Sequence, residues 1–201
     1  MPGTDDSLDT SRARIGMWLF ILSEILLFGG LFLLYCVYRY RFPAEFRSAS
    51  AVLSVADGAF NTAILITSSF SVALAVHFLR LERPKPVVDL LTGTVALGVV
   101  FLIVKGSEWA DRFAQGLYPT SPVLLARSKG EVLYFGLYFV MTGLHALHVF
   151  IGICLLSVLA VLTLKGRISA QHPAVLENGG LYWHLVDIIW IFLFPLFYLI
   201  A

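Results

Sequence analysis

Residues Val132 to Leu164 read VLYFGLYFVMTGLHALHVFIGICLLSVLAVLTL, an unbroken stretch without a single Asp, Glu, Lys or Arg. A bilayer core of about 30 Å needs roughly 20 apolar residues in a helix rising about 1.5 Å per residue. This stretch exceeds that minimum, so it tilts or projects beyond the lipid, although its length fixes no particular angle. Lys165-Gly166-Arg167 closes it, and a polar loop through Pro173 leads to a further apolar run at about 181–200. Towards the N-terminus lies a longer polar connection from Lys105 to Glu131, with Pro119, Ser121-Pro122 and Ser128-Lys129-Gly130. Before it come apolar runs at about 15–37, 60–79 and 87–104. Arg39-Tyr40-Arg41 with Pro43 ends the first, and Arg80 with Pro84 and Pro86 ends the second. The third has Asp89 in its first turn, where a helix N-terminus favours an anion, and stops at Lys105. The pattern predicts an all-α, polytopic membrane helix bundle of five transmembrane helices, forming one membrane domain over 1–201 without internal repeats.

Composition agrees with that reading. Hydrophobic residues make up 59% of the chain and charged ones 13%, against about 25% charged in an ordinary soluble domain. A net charge of +1 offers no electrostatic footprint for nucleic acid. Cys36 and Cys154 both lie inside apolar runs and read as small membrane residues, not as a disulfide or a metal site. The N-terminal segment opens acidic, with Asp5, Asp6 and Asp9, and Arg12 and Arg14 precede a full-length apolar run. A secretory signal has a short apolar core and a small-residue cleavage site, so the first run is expected to remain as an anchor. Lys and Arg divide seven against seven between the two sides of the membrane, so the positive-inside rule leaves orientation open.

Ionisable groups at bilayer depth are costly and usually face other helices or water. Five stand inside the apolar runs: Glu24, His145, His148, His184 and Asp187. The Glu24 carboxyl lies in an otherwise apolar run and must be neutral or paired with a donor. Its roles divide between helix packing, a proton relay and a lipid-headgroup contact. His145 and His148 are three apart and share a helix face, with Thr142 and Gly152 near the same stripe. His184 and Asp187 repeat that spacing between Trp183 and Trp190, and a carboxylate one turn from an imidazole can orient it. Together the five are expected to form one buried polar cluster with a structural, proton or lipid role. Asn61, Ser68, Ser71 and Ala75 fall on one face of the second run, where small and hydroxyl-bearing residues let helices approach closely. Asn61, Ser68, Thr142 and Gly152 are therefore the predicted packing residues. Glu108, beside Trp109 just past the third run, reads as a solvated loop charge. Nothing in these spacings supplies the ligand set of a metal or haem site, and no nucleophile or phosphate-binding motif is present.

Several of these residues stand in a distinctive order. The first run carries Gly16-Met17-Trp18-Leu19-Phe20-Ile21-Leu22-Ser23-Glu24, the second opens near Asn61-Thr62, and Glu108-Trp109 follows the third. The fourth contains Thr142-Gly143-Leu144-His145-Ala146-Leu147-His148-Val149, and the fifth Tyr182-Trp183-His184-Leu185-Val186-Asp187-Ile188-Ile189-Trp190. From Gly16 onwards the sequence resembles subunit III of the haem-copper oxidases. The resemblance implies a subunit without redox centres or catalytic residues of its own, with haem and copper in partner subunits. It implies subunit I as the main contact, subunit II as a further partner, and bound phospholipid. The implied roles are to stabilise the active site during turnover, hold structural lipids and assist proton supply or oxygen access. Glu24 matches the family's buried carboxylate, and His145, His148, His184 and Asp187 match motif positions. Larger members have seven spans, and this chain begins at their third; Leu185 stands where phenylalanine is often seen. The implied location is the bacterial cytoplasmic (inner) membrane, with the N-terminus in the cytoplasm. Two other roles remain: an accessory subunit of a nitric oxide reductase, and a small proton-coupled transporter using Glu24. The transporter would be expected to show repeat symmetry or broken spans.

Overall fold

The computed structural model describes residues 3–170 and 173–199, and among these every regular element is helical. In chain order the elements are α1 (Gly3–Arg41), α2 (Pro43–Ser50), α3 (Val55–Arg80), α4 (Pro84–Ala114), α5 (Pro122–Leu125), α6 (Lys129–Leu164) and α7 (Ala174–Phe194). A single π-helical turn, Pro195–Leu199, continues α7. Five segments are long and apolar enough to cross a membrane: Ile15–Arg41, Val55–Arg80, Pro84–Ala114, Lys129–Leu164 and Ala174–Leu199.

Local chemistry sets the element boundaries. Ser54 caps α3 by accepting from the Asp57 N–H at 3.3 Å, and Ser128 caps α6 by accepting from the Glu131 N–H at 3.3 Å. Proline occupies the first turn of α2 and of α4, where its missing N–H costs nothing. At the end of α6, Gly166 adopts φ +66° and the Arg167 N–H donates back to the Leu162 carbonyl at 3.0 Å, the left-handed closure that glycine favours. The end of α3 closes similarly through Glu82 at φ 59°, with the Arg83 N–H donating to the Phe78 carbonyl at 3.1 Å.

The third span corrects the sequence reading. It does not stop at Lys105 but continues to Ala114, so much of the supposed loop is helix. Lys105, Glu108 and Arg112 are spaced by three and four, share one face of α4, and are all buried. Hydropathy registers their charges as an end to the span; the fold turns the same charges inward.

The core is built around α7, which packs against α1, α3 and α6. Trp183 and Trp190 are among its fully buried side chains. Trp183 fits because its neighbours are glycines: a Cβ at Gly98 would lie 2.9 Å from the ring, and one at Gly152 only 2.8 Å. Its indole N–H donates to Ser68 Oγ at 3.0 Å. α1 lies at the periphery, with Trp18, Leu22, Leu26 and Leu33 exposed on its outer face, as lipid requires. Cys36 and Cys154 are free and exposed on their helix surfaces. Because the ring leaves no room at position 152, Gly152→Val is expected to destabilise the bundle by about 1–3 kcal/mol through overpacking. Thermal unfolding in detergent measures this, with Gly136→Ala as the control, since its added methyl meets nothing within 4 Å.

Candidate functional site

The densest polar site in the bundle joins α4, α6 and the C-terminal turn. Lys105 and Glu108 are 2% and 3% exposed, so both charges are withdrawn from water and lipid. The Lys105 ammonium donates to Glu108 Oε1 at 3.2 Å, to the Tyr138 hydroxyl at 3.1 Å and to the Tyr198 hydroxyl. Its three N–H donors are thereby matched to three acceptors. The rings of Tyr138, Trp190 and Tyr198 surround the ammonium at 4.8, 5.2 and 5.1 Å from their centroids, within cation–π range. Glu108 accepts in turn from the Tyr138 hydroxyl, and from the Tyr198 hydroxyl at 2.7 and 2.9 Å. Two more tyrosines hold the adjoining π turn: Tyr35 donates to the Leu196 carbonyl and Tyr134 to the Phe197 carbonyl at 2.9 Å. Sequence reasoning placed Glu108 in solvent; the signal it missed was the Lys105, Glu108, Arg112 spacing, which continues a helix face beyond the apolar run.

The five residues expected to cluster are distributed over three places. Glu24 of α1 and His148 of α6 come together, with His148 Nε2 and Glu24 Oε2 3.1 Å apart. His148 Nδ1 lies 2.7 Å from the Leu144 carbonyl, so it carries the proton that this acceptor requires. The two groups thus approach across the α1–α6 contact, although Glu24 Oε2 makes no hydrogen bond there. Phe28 meets the imidazole edge-on, and the Tyr182 hydroxyl donates to the His148 carbonyl at 3.0 Å. His145, fully buried one turn away, packs between Phe101 and Trp190, and neither ring nitrogen has a hydrogen-bond partner. The third place lies between α3 and α7. There His184 Nδ1 is 2.6 Å from Ser69 Oγ, so the group at its Nδ1 is a serine of another helix and not Asp187. Asp187 is 4% exposed with neither carboxyl oxygen partnered.

Among the packing residues, Ser68 receives the Trp183 indole N–H, and Thr142 donates to the Tyr138 carbonyl at 2.6 Å. Asn61 is fully buried with its amide unpartnered, while the neighbouring Thr62 accepts from the Trp190 indole at 3.0 Å. Among the described residues no three His, Cys, Asp or Glu side chains converge as a metal site would require. The arrangement can hold helices in register and shelter an ion pair.

These features define a multi-pass α-helical membrane protein whose polar chemistry joins its own helices. The sequence profile of cytochrome c oxidase subunit III matches residues 3–201. The haem-copper oxidase subunit I+III of Aeropyrum pernix is 32% identical over 197 residues, covering 94% of this chain and 23% of that protein. Cytochrome c oxidase subunit 3 of Sus scrofa is 31% identical over 212 residues, covering 98% of this chain and 72% of its relative. The same subunit of Raphicerus melanotis is 30% identical over 201 residues, covering 92% and 68%. The chain belongs to the cytochrome c oxidase subunit III family.

The buried ion pair yields a direct test. Lys105→Met leaves the Glu108 charge uncompensated and is expected to cost about 3–5 kcal/mol, whereas Lys105→Met with Glu108→Leu recovers most of that loss. Denaturant titration of the three proteins in detergent checks the order; a single variant as stable as the double one would exclude the coupling.

Proposed function

We propose that this chain acts as the non-redox third subunit of a haem-copper terminal oxidase. It would pack against the catalytic subunit and stabilise it during oxygen reduction coupled to proton translocation. The observation that carries this reading is the family match over residues 3–201. Haem and copper would then sit in partner subunits. Subunit I as the main contact is supported by the Aeropyrum pernix relative, whose name joins subunits I and III in one polypeptide. Subunit II completes the proposed assembly.

Bound phospholipid is the remaining ligand proposed. A cavity of about 540 Å³ lies between the α3–α4 turn and the end of α6. Leu79, Val88 and Ile168 give it apolar walls, while Glu82, Arg83 and Lys85 lie at its polar end. An apolar slot with cationic side chains at a span end suits an acyl chain below an anionic headgroup. The proposed location is the bacterial cytoplasmic membrane with the N-terminus inside. In support of that orientation, Lys105 and Arg112 are buried within α4 and drop out of the loop charge. The division of Lys and Arg then becomes seven against five in favour of the N-terminal side.

Affinity purification of the tagged chain from native membranes tests the assembly. The expected outcome is a complex with haem-copper absorption spectra and a catalytic subunit in equal amount. Purification with a nitric oxide reductase, or without any haem protein, would overturn it. Oxidase lacking this chain should keep its spectra and initial turnover but lose activity during sustained turnover. Glu24→Gln is expected to leave assembly and initial turnover near the wild-type level, because an amide of nearly the same shape keeps the packing of α1 on α6. Loss of the complex in that variant would show instead that the carboxylate charge holds α1 on α6.

A further inference from the structure

The core between α3, α4, α6 and α7 is built in layers two helical turns apart. α3 packs against α4 and α7, and α6 packs against the same two helices, which sets α3 and α6 diagonally across the bundle. One layer is the Trp183 contact. Its indole donates to Ser68 of α3, its ring lies against Gly152 of α6, and Thr94 of α4 approaches the Ser68 carbonyl at 3.4 Å. Seven residues along each helix, a rise of about 10.5 Å, Ser68 gives way to Asn61, Thr94 to Phe101, Gly152 to His145 and Trp183 to Trp190. Ring contacts hold this second layer together. Phe101 lies 4.9 Å from Trp190 and 5.5 Å from His145, and His145 lies 5.2 Å from Trp190, centroid to centroid.

The two layers differ in how their polar groups are met. Ser68 receives the Trp183 indole, whereas the Trp190 indole donates to Thr62, the neighbour of Asn61. Asn61 Oδ1 and Nδ2 and both ring nitrogens of His145 are left without a hydrogen-bond partner in the chain. Both residues are 0% exposed, so neither lipid nor a neighbouring protein reaches them. Buried polar groups are costly unless hydrogen-bonded, so a partner enclosed within the layer is required. An amide offers two N–H donors and a carbonyl acceptor, and a neutral imidazole offers one donor and one acceptor. A cation would meet only the acceptors, and would face the Lys105 ammonium, which lies 5.2 Å from the Trp190 centroid. An anion would meet only the donors. Water donates and accepts, and typically sits in such enclosed polar sites with two to four partners. We propose that the Asn61–His145 layer is a buried water site, in which enclosed water bridges α3 to α6 across the centre of the bundle.

A double-substitution cycle in the full chain in detergent tests it, read as the midpoint of thermal unfolding. With water joining the two side chains, Asn61→Leu or His145→Phe alone strands the remaining partner. Each is therefore expected to lower the midpoint, and the double variant to lower it by less than the sum. Single variants that raise the midpoint would overturn the site, because deleting an unmet polar group is favourable. Losses that simply add would overturn it as well, since uncoupled positions add. X-ray hydroxyl-radical footprinting gives a second reading on the wild-type chain, because radicals generated at bound water oxidise the rings beside it. Trp190 and Trp183 are 1% and 0% exposed, yet Trp190 is expected to be oxidised severalfold faster. Equal protection of the two indoles would overturn the proposal, and this comparison decides it even where neither variant accumulates.

Discussion

Between Lys105 and Glu108, 3.2 Å apart and almost wholly withdrawn from solvent, the fold commits two opposite charges to its interior. Removing such charges from water costs several kcal/mol each, and their attraction offsets this only if the remaining donors and acceptors are also matched. Here the matching groups come from elsewhere in the chain. Tyr138 arrives on α6 and Tyr198 on the turn after α7, each hydrogen-bonded to both charged side chains. The ion pair can therefore exist only once three distant segments have assembled around it, and their assembly is in turn favoured by the cost of leaving it uncovered. That constraint explains why the C-terminal turn is held so firmly: Tyr35 and Tyr134 bind the carbonyls of Leu196 and Phe197 beside it. It also places Trp190 against the ammonium and so fixes the rotation of α7.

Rotation of α7 decides the rest of the bundle. With Trp190 turned towards Lys105, Trp183 lies two turns away against Gly98 of α4 and Gly152 of α6, its indole bonded to Ser68 of α3. Four helices thus meet on one side chain. Replacing either glycine would separate helices that the tryptophan needs in contact, and this is why the packing gains its specificity from small residues and indole hydrogen bonds. Lipid supplies little hydrophobic drive for helix association, so shape and polar pairing must do the work.

The five spans were legible because hydropathy is an average over some twenty residues and lipid imposes it directly. The end of the third span was not, because Lys105, Glu108 and Arg112 lower that average whether they face solvent or one another. Periodicity could have separated the two cases, since spacings of three and four put all three on one face. The five intramembrane ionisable residues could be named from the sequence but not grouped, and Lys105, Tyr138 and Tyr198 carried no signal in the apolar pattern. Glu24 and His148 are 124 positions apart, and their contact depends on how α1 lies against α6. In the same way His184 sits one turn from Asp187 in sequence, yet its Nδ1 faces Ser69 across a helix boundary. Local spacing says which side chains share a face, and only the neighbouring helix says what that face meets.

The polar groups of this bundle consequently divide by whether the chain satisfies them itself. Lys105, Glu108, Tyr138 and Tyr198 form a self-contained set, whereas Glu24 Oε2 lies 3.1 Å from His148 Nε2 without a hydrogen bond. Asn61, His145 and Asp187 are likewise buried with unpartnered polar atoms. Polar groups that mostly join the chain's own helices suit the proposed role of a subunit without redox chemistry of its own.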